Sequence, residues 1–180
     1  MITFMNRNLK VFFRDRSAVF FSLLAVFIIV GLYALFLGDV WVNDMGDMPG
    51  ARQLMDSWLI SGLLAVTSVT TTLGAFGILV DDRVKKINKD FYAAPIKRSS
   101  ITAGYLSSVF MIGVIMSLIT LVLSELYVLM NGGQLLSIGE AVQVVGLILL
   151  SVLSNTAMMG FVVSFFKSQN AFAVASTVIG

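Results

Sequence analysis

Two clusters of hydrogen-bonding side chains interrupt an otherwise apolar chain, and neither is equipped for covalent chemistry. Thr67, Ser68, Thr70, Thr71 and Thr72 crowd one uncharged run, and Asn155, flanked by Ser154 and Thr156, sits in another. A hydroxyl becomes a nucleophile only beside an activating base. The chain has 0 His and 0 Cys, so it holds neither a Ser-His-Asp relay nor a thiolate metal site, and no disulfide framework. It also lacks a G-x-x-x-x-G-K-S/T phosphate cradle, so ATP is not expected to bind here. What remains is hydrogen bonding. The two clusters either line a path for a solute or join helix to helix, the threonines by bonding back to their own backbone. The acidic group Asp39, Asp44 and Asp47 matches no calcium-loop spacing and reads as solvated charge.

The third polar stretch, DDRVKKINKDFYAAPIKRSS over 81–100, is the most informative. Asp81 or Asp82 is suited to cap a helix start, and Pro95 disfavours helix at Ala94. Between them Val84, Ile87 and Phe91 share one helical face, with Lys85, Lys86, Lys89 and Asp90 opposite. This reads either as a short helix docked on a membrane, on its own spans or on a partner, or as a solvated basic loop. It is too short and too close to lipid to argue for nucleic acid.

These pieces must be carried by membrane-crossing helices. The chain is 58% hydrophobic and 12% charged, with a mean hydropathy of +0.94. A soluble domain carries about 25% charged residues, so the solvent here must be lipid. Crossing about 30 Å of hydrocarbon takes about 20 apolar residues. Ser17–Leu37 is uncharged, and 14 of its 21 residues are Leu, Ile, Val or Phe. Further uncharged runs cover Trp58–Val80, Ile101–Ser124 and Ala141–Phe166. Ala171–Gly180 is apolar but spans only about 15 Å as a helix, so it reads as part of a fifth span in a longer protein. Ser17–Leu37 is too long for the core of a signal peptide, and Leu37-Gly38-Asp39 offers no small-residue cleavage site. The expected fold is an all-α polytopic transmembrane bundle, a single domain over 1–180.

Residues 2–14 form an amphipathic helix that suits the membrane plane. Thr3, Arg7, Lys10 and Arg14 make one stripe, with Ile2, Met5, Leu9, Phe12 and Phe13 opposite. Lys and Arg set orientation. When four spans alternate, Arg7, Lys10, Arg14, Arg16, Arg83, Lys85, Lys86, Lys89, Lys97, Arg98 and Lys167 all fall on one side. Only Arg52 falls on the other, among Asp39, Asp44, Asp47 and Asp56. The N-terminus and the 81–100 loop are therefore expected to be cytoplasmic. Trp41 and Trp58 are then near the outer interface, and so is Glu125, about 36 Å along its helix from Ile101.

An N-terminal amphipathic helix, two spans, then a loop of the form D-R-x-x-K…K-D-F-x-x-x-P-I-K-R-S-S together resemble the permease subunits of type-2 ATP-binding-cassette exporters. In that family the loop carries a coupling helix that contacts the ATPase. The matching residues are Arg83, Lys86, Lys89, Asp90, Phe91, Pro95, Lys97 and Arg98, with Val84 and Ile87 on the same apolar face. Many members have Gly-Thr where this chain has Ile87-Asn88. The resemblance implies a six-span subunit of the cytoplasmic membrane, paired with a second membrane subunit. It further implies ATP and magnesium held by a separate ATPase, and export by alternating access. In such a subunit Thr67, Thr70, Thr71 and Asn155 are candidates for the substrate path. Two other classes fit the composition: a membrane scaffold without transport, and an ion-coupled transporter. The second usually carries ionisable residues deep in its spans, and this chain has none there.

Overall fold

The computed structural model describes residues 2–37, 40, 48–87, 91, 97–166 and 168–179. Among these the chain is helical, with no strand. The elements are α1 (Ile2–Arg14), α2 (Arg16–Leu32) with a π-helical turn over Tyr33–Leu37, α3 (Ala51–Val84), α4 (Arg98–Met130), α5 (Ile138–Ser164) and α6 (Gln169–Ile179). Among the described residues four helices are long and apolar enough to cross a membrane: Arg16–Leu35, Ala51–Val84, Arg98–Met130 and Ile138–Ser164. The protein is an all-α membrane bundle.

The helix ends follow from local chemistry. Asp15 alone separates α1 from α2, and its Oδ1 accepts from Ala18 N at 3.0 Å to cap the second helix. α4 stops in a Schellman motif: Gly132 takes φ 74°, Gly133 N donates to Val128 O at 2.9 Å and Gly132 N donates to Leu129 O at 3.1 Å. Five residues later Ser137 opens α5 with a capping box, its hydroxyl and N–H both on Glu140 Oε2 at 2.7 and 2.8 Å. The α4–α5 turn is thus tightly specified at both of its ends.

α3 is the central element and packs against α2, α4, α5 and α6, while α1 lies mainly against α4. Its 34 residues extend about 51 Å, longer than the hydrocarbon is thick. One core cluster, near α1, gathers Phe12, Leu73, Phe76, Val80, Ile112, Met116 and Phe172. A second joins Val26 and Tyr33 to Leu59 and Leu63, and a third joins Leu121 to Ile148 and Val152. Where α3, α4 and α5 cross, Gly113 lets the backbones close in: a Cβ there would lie 2.6 Å from Val152 Cγ1 and 3.0 Å from Thr72 Cγ2. Small residues at such contacts are how helices associate when lipid is as apolar as leucine. The outward faces carry Phe20 and Phe27 on α2, Leu35 in the π-helical turn, and Leu147, Leu150 and Phe161 on α5, all exposed. In a bundle of this composition that exposure is to lipid.

Candidate functional site

At the end of the bundle where α1 sits, a buried polar network ties α1 to α3 and α4. Arg7 Nη1 and Nη2 donate to Asp82 Oδ2 and Oδ1 at 2.6 and 2.9 Å, a bidentate pair. The Tyr105 hydroxyl donates to Asp82 Oδ2 at 2.5 Å. Asn8, fully buried, donates through Nδ2 to Ser108 Oγ at 3.1 Å. Hydrogen bonding to Asp82 pushes the Arg7 guanidinium above its already high ordinary pKa, against the opposing effect of burial. Around this network Phe4 stacks edge-on against Tyr105 and Phe91, at 4.8 and 5.0 Å between centroids. Arg7 also lies over the Phe91 ring, 5.4 Å from its centroid. The approach of α1 to α4 is close enough that a Cβ on Gly104 would sit 2.7 Å from Phe4 Cδ1.

Two expectations change here. The polar stripe of α1 places Arg7 toward lipid headgroups, yet Arg7 turns into the bundle, because a buried carboxylate offers it a fork-on-fork partner that water and headgroups do not hold in place. A new helix starting at Asp81 or Asp82 is also not found: α3 runs through both to Val84. Asp82 is held within that last turn by Arg7 and Tyr105, and Lys86 at φ 59° then breaks the helical path. Val84 and Lys86 are exposed, while Ile87 and Phe91 are half-buried. Arg83 Nη1 reaches the Val163 and Phe166 carbonyls at 3.4 Å, linking α3 to the end of α5. Lys97 precedes α4 in extended conformation and Arg98 is its first residue, both exposed. Lys89, Asp90 and Pro95 lie outside the described residues, as do Asp39, Trp41, Asp44, Asp47 and Lys167.

The structure brings the two mid-span clusters together. Asn155 Nδ2 donates to Ser68 Oγ at 2.7 Å, and Ser68 Oγ lies 3.1 Å from Ser151 Oγ, joining α3 to α5. The threonines mostly bond to their own helix. Thr71 donates to Thr67 O at 2.6 Å, and Thr70 to Val66 O at 3.0 Å. Thr67 is buried and accepts from Thr120 on α4 at 3.4 Å. Thr67 and Asn155 therefore join helices, while Thr71 and Thr70 are self-bonded hydroxyls, the first buried and the second half-buried.

Sequence reasoning missed Asn8, Asp82 and Tyr105 as one unit. The available signal was an asparagine next to the cationic stripe of an amphipathic helix and an aspartate directly abutting a span. At the opposite end, Asp56 is buried and accepts from the Tyr33 hydroxyl at 3.0 Å, while Glu125 Oε2 accepts from Leu136 N at 3.1 Å. Among the described residues no group of three or more His, Cys, Asp or Glu side chains converges as a metal site would require. Comparison with protein-family models, with curated proteins and with solved structures finds no match.

Proposed function

We propose that this chain is the membrane-spanning subunit of an ATP-driven exporter, with its α1 end in the cytoplasm and ATP hydrolysed on a separate partner. The observation that carries this reading is the position of Arg7. One side chain grips Asp82 at the end of α3, covers Phe91 in the α3–α4 loop, and belongs to a helix packed on α4. A force applied to the loop therefore acts on α1 and on two spans together. That is what a coupling element needs if an ATPase is to move helices between inward- and outward-open packings. Exposed Val84 and Lys86 offer an apolar contact and a cation at the same end.

The excess of Lys and Arg at that end supports a cytoplasmic orientation in a bacterial-type membrane. A second membrane subunit and an ABC ATPase complete the working unit, and ATP and magnesium stay on the ATPase. Arg83, Val84, Lys86, Ile87, Phe91, Lys97 and Arg98 are the described residues assigned to ATPase contact or its support. The test is affinity purification from the native membrane. A P-loop ATPase should co-purify in stoichiometric amount, and Phe91→Ala should reduce its recovery at matched membrane levels. A scaffold without transport would co-purify other membrane proteins and no such ATPase.

A further inference from the structure

α2 is the least anchored of the four long helices. Between Arg16 and Leu32 only Val26 is buried, against thirteen residues on each of α3 and α4 and five on α5. Its two ends are held in different ways. At the α1 end, Val19 and Leu23 pack against the core cluster that contains Phe12. Asp15, at φ −80° and ψ 89°, is the one non-helical residue between α1 and α2. α1 itself is fixed by Arg7 on Asp82 and by Asn8 on Ser108. The near end of α2 is therefore held in place but free to pivot, because a few residues at an element's end are enough to absorb a change of angle.

The far end carries a polar tie. Where α2 passes into the π-helical turn, the Tyr33 hydroxyl donates to Asp56 Oδ1 on α3 at 3.0 Å, and both residues are buried. The apolar contact around the tie is small, with Val26, Tyr33, Leu59 and Leu63 as its buried members. Tyr33 lies 18 residues beyond Asp15, at the tip of a lever of about 27 Å. Its backbone N–H is shared between the Ile29 and Val30 carbonyls, so the helical path changes at the residue that makes the tie. Single-turn π segments inside α-helices are rare and are frequent at functional sites. Asp56 stands only five residues into α3 and also forms part of the wall of a cavity of about 380 Å³ between α3, α4 and α5. Water can therefore replace the Tyr33 hydroxyl when it withdraws, and its release does not strand a carboxylate in hydrocarbon.

We propose that α2 is a hinged gate helix, pivoting at Asp15 and latched at its far end by the Tyr33–Asp56 hydrogen bond. Latched, it covers Leu59 and Leu63 on α3. Released, its outer half swings away and opens the α2–α3 cleft sideways to the bilayer, while α3, α4 and α5 keep their packing. A helix that served only as a fixed wall would bury a stripe along its whole length, as α3 and α4 do. A hydrogen bond at the tip suits a latch because one of average strength in a membrane shifts an equilibrium only about threefold, which leaves both positions populated. The gate is a property of this chain alone and does not rest on the exporter reading.

The experiment uses the full chain in phosphatidylcholine nanodiscs, without any ATPase, and reads distances between nitroxide pairs by double electron–electron resonance. With no native Cys, each labelled pair is unique. Leu35→Cys with Leu129→Cys reports the far end of α2, and Phe21→Cys with Thr102→Cys the near end, all four positions being exposed. Tyr33→Phe keeps the ring and removes the hydroxyl. It should raise the longer-distance population of the far pair about threefold and leave the near pair unchanged. Asp56→Leu should do the same, and the double variant no more than either alone. Asp56→Asn keeps an oxygen acceptor for the Tyr33 hydroxyl and should stay at the wild-type distribution. A far-pair distribution unchanged by Tyr33→Phe, at wild-type elution volume, would overturn the latch. So would an Asp56→Asn distribution like that of Asp56→Leu, because charge or packing, not the hydroxyl contact, would then hold α2. A near pair that shifts as far as the far pair would overturn the hinge. Distances as described with no ATPase partner in the native membrane would leave the gate standing and remove the exporter reading.

Discussion

Arg7 and Asp82, 75 positions apart in sequence, meet through two parallel hydrogen bonds of 2.6 and 2.9 Å. The Arg7 side chain is 33% exposed and that of Asp82 only 4%, so the carboxylate is the buried partner and the guanidinium caps it. This pair fixes α1 on the bundle rather than on lipid alone.

Removing Arg7 should therefore cost more than removing Asp82, because it leaves a buried carboxylate without its charge partner, whereas Asp82→Ala removes the buried charge itself. Asp82→Ala leaves both the Arg7 guanidinium and the Tyr105 hydroxyl without their acceptor, at about 1–3 kcal/mol for the orphaned groups. Partial exposure of Arg7 places its share toward the lower end of that range. Arg7→Lys keeps the charge but loses the fork, and should recover only part of the wild-type stability. Denaturant unfolding in detergent, run as a double-mutant cycle on Arg7→Ala and Asp82→Ala, should return a positive coupling energy. Strict additivity would mean the two side chains do not hold α1.

Gly113→Ala should loosen the central crossing. The added methyl meets Val152 and Thr72 within the hard-sphere limit, and both are on packed helices. Overpacking of this kind costs about 1–3 kcal/mol. Val152→Ala in the same chain should restore part of it, because the space it opens is the one the methyl needs. A stability for Gly113→Ala equal to wild type would contradict the close α4–α5 approach.

Asn155→Ala should be mild. Interhelical hydrogen bonds in membranes average about 0.6 kcal/mol, and Ser68 retains Ser151 as a neighbour. A loss of several kcal/mol would indicate that Asn155 organises more than the α3–α5 contact.

Much of the fold was legible in the sequence because lipid imposes a simple rule. Long uncharged runs become helices: Ala51–Val84 and Arg98–Met130 contain the runs read from the chain, and Ile138–Ser164 covers all but the last two residues of Ala141–Phe166. α1 was equally plain from its two stripes. The polar network was not, because Arg7, Asp82 and Tyr105 are far apart in sequence and each has an ordinary local explanation: headgroup cation, helix cap, interfacial aromatic. Only the fold makes them one contact. The same holds for the start of the 81–100 loop. Helical spacing of Val84, Ile87 and Phe91 is real, but α3 consumes Val84, and Lys86 turns the chain before Phe91 reaches Phe4.

Because the chain has no native Cys, orientation is directly measurable. Gln134→Cys and Ser99→Cys lie at opposite ends of α4, both on exposed positions. A membrane-impermeant thiol reagent on intact cells should label the first and miss the second. Labelling of Ser99→Cys alone would invert the topology.

Docking of an ATPase beside the end of α3, as proposed above, can be read by site-specific photo-crosslinking. Val84, exposed in the last turn of α3, is replaced by p-benzoylphenylalanine; exposed Val122 on the outer face of α4 serves as the control. Irradiation of native membranes should join the Val84 probe to a nucleotide-binding subunit carrying a P-loop, and the adduct should shift when ATP is added. The Val122 probe should yield no such adduct. A folded, membrane-inserted Val84 variant that captures no ATPase under any nucleotide condition would rule out docking there.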